Sequence, residues 1–305
     1  MKVALGLIGH SRNFFINRDI MLDYANRNNC DIFISTWDND GYKVGPAHSS
    51  FHPRNFSKNP ITNNDFEGIN YKYLKIENVD EVSKKLKMEE VIAPIQEKYV
   101  EIDSGRKIEN LSNLIFQAYK RNSIIEEMTK HEYDLYIVCR LDFIWGNFKS
   151  LFSSRMEGIF REKENEVWDM NNIKKISACE VTDLNSLEAD NFFCSDLSDK
   201  LHEGLIDFYF IGSAKKIKKF VHEPTDAVKN FYCVIFEKLK DSSLVGDKRK
   251  EVIETGKCGH KFTKWWVDTY VGDSVKLPWQ GWITRPDYDA NGNLRNIKVN
   301  EDHIS

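Results

Sequence analysis

The sequence predicts an α/β fold in which a mixed, mostly parallel sheet is flanked by helices. Over the first 140 residues, short apolar runs alternate with longer segments that have helical spacing, the pattern of strand–helix–strand units. The first run, Val3–Ile8, is continuously apolar, which is typical of parallel strands buried on both faces. Of the 305 residues, 41% are hydrophobic and 30% are charged, as in an ordinary globular domain.

The first strand–helix–strand unit opens with a buried strand over Lys2–Ile8. A polar loop follows, and then a helix over Asn17–Asn29 and a second strand over Asp31–Thr36. The unit spans about 35 residues, the size expected of a right-handed crossover between parallel strands.

The rest of the first half begins with Asn39–Asn70, a polar stretch that we expect to be a loop or insertion. We then predict a short strand at Tyr71–Ile76 and a charged helix at Val79–Tyr99. A clearly amphipathic helix follows at Ile108–Met128, and the central strand at Leu135–Cys139. Pro94 is expected to break or kink the charged helix.

The second half has a less regular pattern. Strands are predicted at Lys174–Val181 and Phe208–Ile211, helices at Ala214–His222, Thr225–Leu239 and Lys248–Thr255, and turns with short strands over Leu277–Ile297. No linker divides the chain, so we expect a single domain over residues 1–305, with halves 1–150 and 151–305.

Composition excludes several classes of protein. Lys and Arg total 43 against 47 Asp and Glu, and a net charge of −4 argues against a nucleic-acid partner. The six cysteines lie far apart with no Cys-x-x-Cys pair, which favours free thiols in a reducing compartment. No segment approaches the roughly 18 apolar residues of a membrane span. We therefore expect a cytoplasmic protein, for which peripheral contact with a membrane stays open.

Polar residues follow three of the predicted strands, at Gly9–Arg12, Thr36–Asp38 and Arg140–Asp142. The carboxyl ends of parallel strands meet at one edge of the sheet, where such folds bind ligands. None of the three segments has the glycine pattern of a dinucleotide or P-loop site. The charge of a bound phosphate would then be met by Arg, Lys and a metal ion.

Each of these strand-end side chains allows two interpretations. Arg12 either binds a phosphate or lies on the surface, and for His10 a polar turn is the better interpretation. Trp37 either faces a base or sugar or is a core-edge residue. Arg140 and Asp142 either contact the ligand or pair with each other and order the loop.

The amphipathic helix before the central strand carries three polar candidates on its non-apolar side, namely Gln117, Lys120 and Arg121. Lys120 or Arg121 would reach phosphates, or both are simply solvated. His48 and His52 are four residues apart but lie in a stretch without helical signal, and no third ligand is near. We therefore do not expect a metal site there.

The order of these segments resembles a family of GT-A-like glycosyltransferases that synthesise capsule or lipopolysaccharide in bacteria and giant viruses. The resemblance covers about the first 150 residues and is carried by Gly9–Arg12, the run DIFISTWD at Asp31–Asp38, the helix with Gln117 and Lys120, and the run YDLYIVCRLD at Tyr133–Asp142. The family usually ends its central strand in Arg-x-Arg-x-Asp, often with proline before the aspartate. This chain keeps the second arginine and the aspartate but lacks the first arginine and the proline.

The resemblance implies a GT-A-like, Rossmann-like fold, a nucleotide-sugar donor and a glycan or lipid-linked glycan acceptor. The residues it places against the donor are Gly9, His10, Arg12, Thr36, Asp38, Gln117, Lys120, Arg121, Arg140 and Asp142. Asp142 would bind Mg²⁺ or Mn²⁺ or the ribose, and Arg140 would support the phosphates. A hard carboxylate suits such a cation, which would neutralise the departing diphosphate. With arginine at 140, the two-carboxylate clamp is incomplete.

An inverting transferase also needs a base for the acceptor hydroxyl. Asp207 precedes the apolar run Phe208–Ile211, whereas Asp268 lies beside two tryptophans and a tyrosine suited to stacking on sugars. The alternative for Asp268 is an amphipathic helix whose tryptophans are core. Further candidates are Glu188 and Asp190.

Two other classes of function stay open. One is another nucleotide- or S-adenosylmethionine-dependent α/β transferase, and the other is a catalytically inactive carbohydrate-binding protein. The donor sugar, the acceptor, the linkage and the oligomeric state are not specified by any motif.

Overall fold

The computed structural model describes residues 1–11, 14–39, 60–108, 111–145, 184–188, 190–195, 205, 209–277, 281–288 and 294–299. The strands within these ranges are β1 (Val3–Gly9), β2 (Cys30–Trp37), β3 (Tyr71–Glu77), β4 (Leu135–Arg140), β5 (Phe143–Trp145), β6 (Phe192–Ser195), β7 (Tyr209–Gly212), β8 (Val275–Leu277), β9 (Gly281–Tyr288) and β10 (Leu294–Val299). The helices are α1 (Phe14–Arg27), α2 (Val79–Lys85), α3 (Met88–Ile102), α4 (Leu111–Met128), α5 (Ala214–Lys218), α6 (Pro224–Leu239), α7 (Gly246–Lys257) and α8 (Gly259–Trp266).

In the described part of the chain, seven strands form one sheet in the order β3-β2-β1-β4-β7-β6-β8. Strands β3, β2, β1 and β4 run parallel, whereas β7 is antiparallel to both of its neighbours and β8 is parallel to β6. The expected α/β class with a mixed, mostly parallel sheet is therefore confirmed. A smaller sheet has the order β10-β9-β5.

Alternation along β1 divides the core between the two faces of the sheet. Val3, Leu5 and Leu7 share a cluster with side chains of α1. Ala4 and Ile8 share the other cluster with side chains of α3, α4, α6 and α8. Because successive side chains of a strand point to opposite faces, one strand serves both layers.

Helix α4 runs antiparallel to β1 across the second face. A Cβ built on Gly6, in the middle of β1, would lie 2.9 Å from the sulfur of Met128, near the end of the helix. Lys120, two turns earlier in the helix, contacts the carbonyl oxygen of Thr36 near the end of β2. The first half of α4 therefore lies toward the carboxyl edge of the parallel strands.

The charged helix breaks elsewhere than the sequence predicts. It divides into α2 and α3 at Lys87, whose φ of 47° lies in the left-handed region. Pro94 lies inside α3, so the prediction of a break there is wrong. A left-handed residue ends the hydrogen-bonded ladder of one helix and lets the next helix start in a new direction.

The remaining elements agree with the sequence in part. The strand predicted at Phe208–Ile211 is observed as β7, and α8 matches the helix that was the alternative for the tryptophans beside Asp268, while β5 and β6 were not predicted. The predicted strand Lys174–Val181 lies outside the described residues, as does 40–59 of the long polar stretch. None of the helices in the described ranges combines the length and apolarity that crossing a bilayer requires. The five cysteines within those ranges are free thiols.

Candidate functional site

The ends of β1, β2 and β4 lie side by side at the carboxyl edge of the sheet. Gly9 pairs with Thr36, and Ile8 pairs with Arg140. The partly exposed residues at this edge are Gly9, His10, Asp38, Asn39 and Arg140, and we call them the rim. The structure thus brings together the three strand ends that the sequence pointed to.

The β1 end of the rim is an open turn. Gly9 has a φ of 96°, and a Cβ built on it would meet no described atom within 4 Å. The left-handed backbone favours glycine there. His10 Nδ1 lies 3.3 Å from the carbonyl oxygen of Asn39, which links the β1 turn to the β2 turn.

The Asp38 carboxylate is held by two amide groups. Its Oδ2 accepts a hydrogen bond from Asn78 Nδ2 at 2.6 Å, and its Oδ1 accepts one from Asn39 Nδ2 at 3.1 Å. The backbone of Asp38 is fixed as well, since its N–H donates to the carbonyl oxygen of Glu77 at 3.0 Å. Each carboxylate oxygen has two lone pairs, so these bonds orient the group without exhausting it as an acceptor.

Two predicted site residues lie beneath the rim rather than on it. Thr36 is buried, and its hydroxyl donates to the carbonyl oxygen of Gly9 at 2.8 Å. Lys120 is 1% exposed, and its Nζ donates to the carbonyl oxygen of Thr36 and to Glu77 Oε2, at 3.0 Å from the latter. The prediction that Lys120 lies on a non-apolar helix face is wrong, because that face of α4 packs on the ends of β2 and β3.

The Glu77 carboxylate, at the end of β3, is contacted by three side-chain donors. Its Oε1 accepts from the Tyr119 hydroxyl at 2.7 Å and lies 2.8 Å from Lys75 Nζ, while Oε2 faces Lys120. Burial raises the pKa of Glu77, but Lys75, Lys120 and Tyr119 lower it more, and the net pKa lies below its usual value. Sequence reasoning missed this residue, although a carboxylate directly after the predicted strand Tyr71–Ile76 was a signal of the same kind as Asp38.

Burial is the dominant influence on Lys120. It lowers the pKa of the ammonium group to about 8, although the Glu77 carboxylate acts in the opposite direction. At neutral pH both groups of the pair are therefore charged. The ammonium also lies 4.0 Å from the centroid of the Trp37 ring, a cation–π contact.

Trp37 is part of the core. It is 2% exposed, with its ring centroid 5.2 Å from that of Phe116 and 6.4 Å from that of Tyr119. The interpretation of Trp37 as a core-edge residue is confirmed.

Arg140 and Asp142 form a bidentate pair. Arg140 Nε donates to Oδ1 and Nη2 donates to Oδ2, both at 2.8 Å. The side chain of Asp142 is 3% exposed and that of Arg140 is 18% exposed. The N–H of Leu141 donates to the carbonyl oxygen of Ile8 at 2.9 Å, which holds the motif against β1.

This geometry does not fit a divalent cation on Asp142. A cation would have to displace the guanidinium from both carboxylate oxygens, in a position that is almost fully buried. Within the described ranges, no three His, Cys, Asp or Glu side chains form a group that would hold a metal ion. The arrangement favours the interpretation in which Asp142 orients Arg140 and orders the loop.

Gln117 and Arg121 lie in different environments on α4. Gln117 is exposed. Arg121 is 3% exposed, and its guanidinium carbon lies 4.0 Å from the Phe220 ring centroid and 4.5 Å from that of Trp266. The expectation that Arg121 lies on a non-apolar face is wrong, because the rings of Phe220, which follows α5, and of Trp266 in α8 cover that side of the helix.

Asp268 lies in a π-helical turn that continues α8. Gly259 at the start of α8 packs near Leu114 of α4, and Trp266 at its end packs over Arg121, so the two helices run in the same direction. The chain therefore reaches Asp268 while moving away from the rim, and the structure does not bring it to the other candidates. Its carboxylate is exposed and lies 3.0 Å from Lys264 Nζ.

The aromatic residues beside Asp268 are largely internal. Trp266 is fully buried and donates from Nε1 to the carbonyl oxygen of Phe220 at 3.2 Å. Tyr270 stacks on His222 with ring centroids 3.6 Å apart. The interpretation of the tryptophans as core is confirmed for Trp266.

Two other candidates for the base, Glu188 and Asp190, precede β6. Strand β6 begins at the edge opposite the rim, because its Phe192 pairs with Gly212 and β7, which starts at the rim, ends at Gly212. Strand β7 itself begins at the rim edge, where Tyr209 pairs with Cys139. The candidates that lie outside the described residues are Arg12, Asp207, His48 and His52.

Comparison with known proteins identifies no relative. A scan of the sequence against models of protein families finds no match, and a search of curated proteins finds none either.

Proposed function

We propose that the chain is a glycosyltransferase with a GT-A-like sheet, which transfers a sugar from a nucleotide-sugar donor to a glycan acceptor in surface polysaccharide synthesis. The observation that carries the proposal is the rim, because the three polar strand ends behind the sequence resemblance are neighbours at one edge. The antiparallel β7 beside β4 departs from the all-parallel dinucleotide fold, which supports a different nucleotide-binding class.

The rim offers the chemistry that a nucleoside diphosphate requires. Asp38 accepts hydrogen bonds and suits the hydroxyls of a ribose or the N–H groups of a base. Arg140 carries N–H donors suited to phosphate oxygens. The strand ends that bear them are two strands apart, about 10 Å at the usual strand spacing. Gly9 between them lets a ligand approach the backbone closely.

In the proposed reaction, a base deprotonates the acceptor hydroxyl, which attacks the anomeric carbon of the donor as the bond to the diphosphate breaks. Arg140 would stabilise the charge that develops on the departing diphosphate, with its orientation set by Asp142. Asp207 stays our candidate for the base, because the strand that follows it begins at the rim edge. We derive no step through a metal ion on Asp142. We place the reaction in the cytoplasm, with a lipid-linked acceptor at the membrane surface.

One observation also favours an S-adenosylmethionine-dependent transferase as a second candidate. An acidic residue after the second strand of a β3-β2-β1-β4 order suits the ribose of any nucleoside ligand, including that cofactor. The two candidates differ in whether the ligand carries phosphate.

A thermal-shift screen separates them. UDP-, GDP-, CMP- and dTDP-sugars are added singly, with Mn²⁺ or with EDTA, beside S-adenosylmethionine. Binding to the folded state at about 100 times Kd stabilises it by about 2.7 kcal/mol, a rise in Tm of several degrees. We expect a shift with one nucleotide sugar that is lost in Arg140→Met and Asp38→Asn and kept in the control Asp268→Asn. A shift with S-adenosylmethionine alone would refute the proposal.

A further inference from the structure

Three hydrogen bonds, joined by the covalent Glu77-Asn78 dipeptide, connect the buried Lys120 to Asp38 on the rim. Lys120 Nζ donates to Glu77 Oε2 at 3.0 Å, and the carbonyl oxygen of Glu77 accepts from the Asp38 N–H at 3.0 Å. The next residue, Asn78, donates from Nδ2 to Asp38 Oδ2 at 2.6 Å. Both the backbone and the side chain of Asp38 are thus fixed by the Glu77-Asn78 dipeptide.

Lys120 ties together the ends of two neighbouring strands. Its single ammonium group serves the carbonyl oxygen of Thr36 in β2 and the carboxylate of Glu77 in β3. An apolar side chain at this position would avoid the cost of burying a charge, so packing alone gives no reason for a lysine. The contacts that it makes all concern the two strand ends beneath the rim.

Asn78 connects the same chain to helix α2. Its Oδ1 accepts from the N–H groups of Asp80 and Glu81 at 2.9 and 3.1 Å and so caps the helix, while its Nδ2 holds Asp38. The amide group cannot rotate toward other partners without losing the cap. The orientation of the Asp38 carboxylate is therefore tied to the start of α2.

We propose that Lys120, Glu77 and Asn78 are positioning residues that hold the Asp38 carboxylate in the orientation in which it binds the hydroxyl or N–H donors of a nucleoside. Lys120 acts through Asp38 and does not touch the ligand itself, because its side chain is 1% exposed. The ligand part of this inference rests on the proposed function, whereas the positioning of Asp38 does not.

Two adjacent buried cations of α4 give a matched comparison. Lys120→Met breaks the chain to Asp38, and Arg121→Met removes a buried charge that packs on the Phe220 and Trp266 rings instead. UDP, GDP and dTDP are titrated calorimetrically into both variants and the wild type. We expect Lys120→Met to weaken nucleotide binding about tenfold, as when one charged hydrogen bond is lost, and Arg121→Met to change it less than about twofold.

A double-variant cycle tests whether Lys120 acts through Asp38. In an Asp38→Asn background, Lys120→Met should have no further effect on affinity, although it should lower stability as in the wild type. An undiminished loss of affinity in that background would overturn the positioning role.

Hydrogen exchange provides a readout that needs no ligand. In Lys120→Met, the amides of Asp38, Asp80 and Glu81 should exchange at least about tenfold faster than in Arg121→Met at matched global stability. Equal exchange in the two variants would overturn the inference. If the wild type binds none of the three nucleotides, the proposal of a nucleoside diphosphate ligand fails, while exchange still decides the positioning role. Glu77→Gln, which keeps the side-chain volume, replaces Lys120→Met in every arm if that variant does not fold.

Discussion

Replacing Lys120 by Met should make the stability of the protein respond differently to alkaline pH. Burial lowers the pKa of Lys120 from its ordinary value of 10.5 to about 8, although Glu77 opposes the change. The folded protein therefore releases this proton at a lower pH than the unfolded chain does. The methionine variant has no such proton in either state.

The size and sign of the effect follow from proton linkage. Between pH 8 and 10.5 the unfolded chain keeps the lysine proton that the folded protein has lost, so unfolding takes up a proton and becomes harder as the pH rises. Each pH unit in that window adds about 1.4 kcal/mol to the wild-type free energy of unfolding relative to the variant. The difference should be flat below pH 8 and should grow by about 2 kcal/mol by pH 9.5.

Other groups titrate close to this window. The pKa values of Tyr73 and Tyr119 are raised, chiefly by burial, and this lowers the stability of the folded protein above about pH 10. The Lys120→Met variant keeps both tyrosines. The difference in the free energy of unfolding between wild type and variant therefore cancels most of their contribution. The measurement is therefore confined to pH 7–9.5.

Urea denaturation, followed by tryptophan fluorescence at pH 7, 8, 9 and 9.5, measures the difference directly. Arg121→Met is the control, because an arginine stays protonated throughout and its variant should track the wild type at a constant offset. A difference between wild type and Lys120→Met that stays level or falls with pH would refute the reasoning. It would mean that Glu77 outweighs burial at this lysine.

Two further predictions concern packing and charge. Gly256→Ala should lower the free energy of unfolding by about 2 kcal/mol, since its Cβ would lie 2.9 Å from a tyrosine ring carbon. The Cβ of Gly6→Ala would lie 2.9 Å from the flexible end of a methionine, so this variant should lose less stability than Gly256→Ala. A greater loss for Gly6→Ala in urea denaturation would contradict the packing argument. Asp142→Asn should lower it by about 1–3 kcal/mol, because the buried carboxylate binds Arg140 through two hydrogen bonds. In the same assay the exposed Asp268→Asn should change the free energy of unfolding by less than about 0.5 kcal/mol. If Asp142→Asn lowered it no more than Asp268→Asn does, the Arg140–Asp142 pair would contribute little to stability.

The fold of the first half could be predicted well from the sequence. The strands β1, β2, β3 and β4 were all predicted, and each observed boundary lies within about a residue of the expected one. Of the short strands in the second half, β7 was predicted from its apolar run, whereas β6 was not. Strand β6 has four residues, too few to show a period, and its place in the sheet depends on long-range pairing with β7 and β8.

The site could be predicted only as far as the strand ends. Helical periodicity assigned Lys120 and Arg121 to the non-apolar side of the helix, either at phosphates or in solvent, because both are charged. In the structure α4 is enclosed on one side by the ends of β2 and β3 and on the other by the aromatic rings of Phe220 and Trp266. A sequence pattern that counts only apolar residues cannot recognise a helix whose buried faces contain cations.

The burial of Lys120 and Asp142 limits the kinds of ligand that fit the rim. Lys120 is committed to Glu77 and Asp142 is committed to Arg140, which leaves Asp38 as the rim acceptor and Arg140 as the rim donor of opposite charge. A ligand that satisfies both must present hydroxyl or N–H donors at one end and anionic oxygens at the other, as a nucleoside diphosphate does. A divalent cation would have to bind through the phosphate oxygens and water, since Asp142 gives up two charge-assisted bonds to receive it. Comparison of the Mn²⁺ and EDTA arms therefore measures how far Arg140 alone meets the diphosphate charge. Equal shifts would assign that role to the guanidinium, and a shift only with Mn²⁺ would show that a cation bound through the phosphate oxygens and water must supply part of the charge.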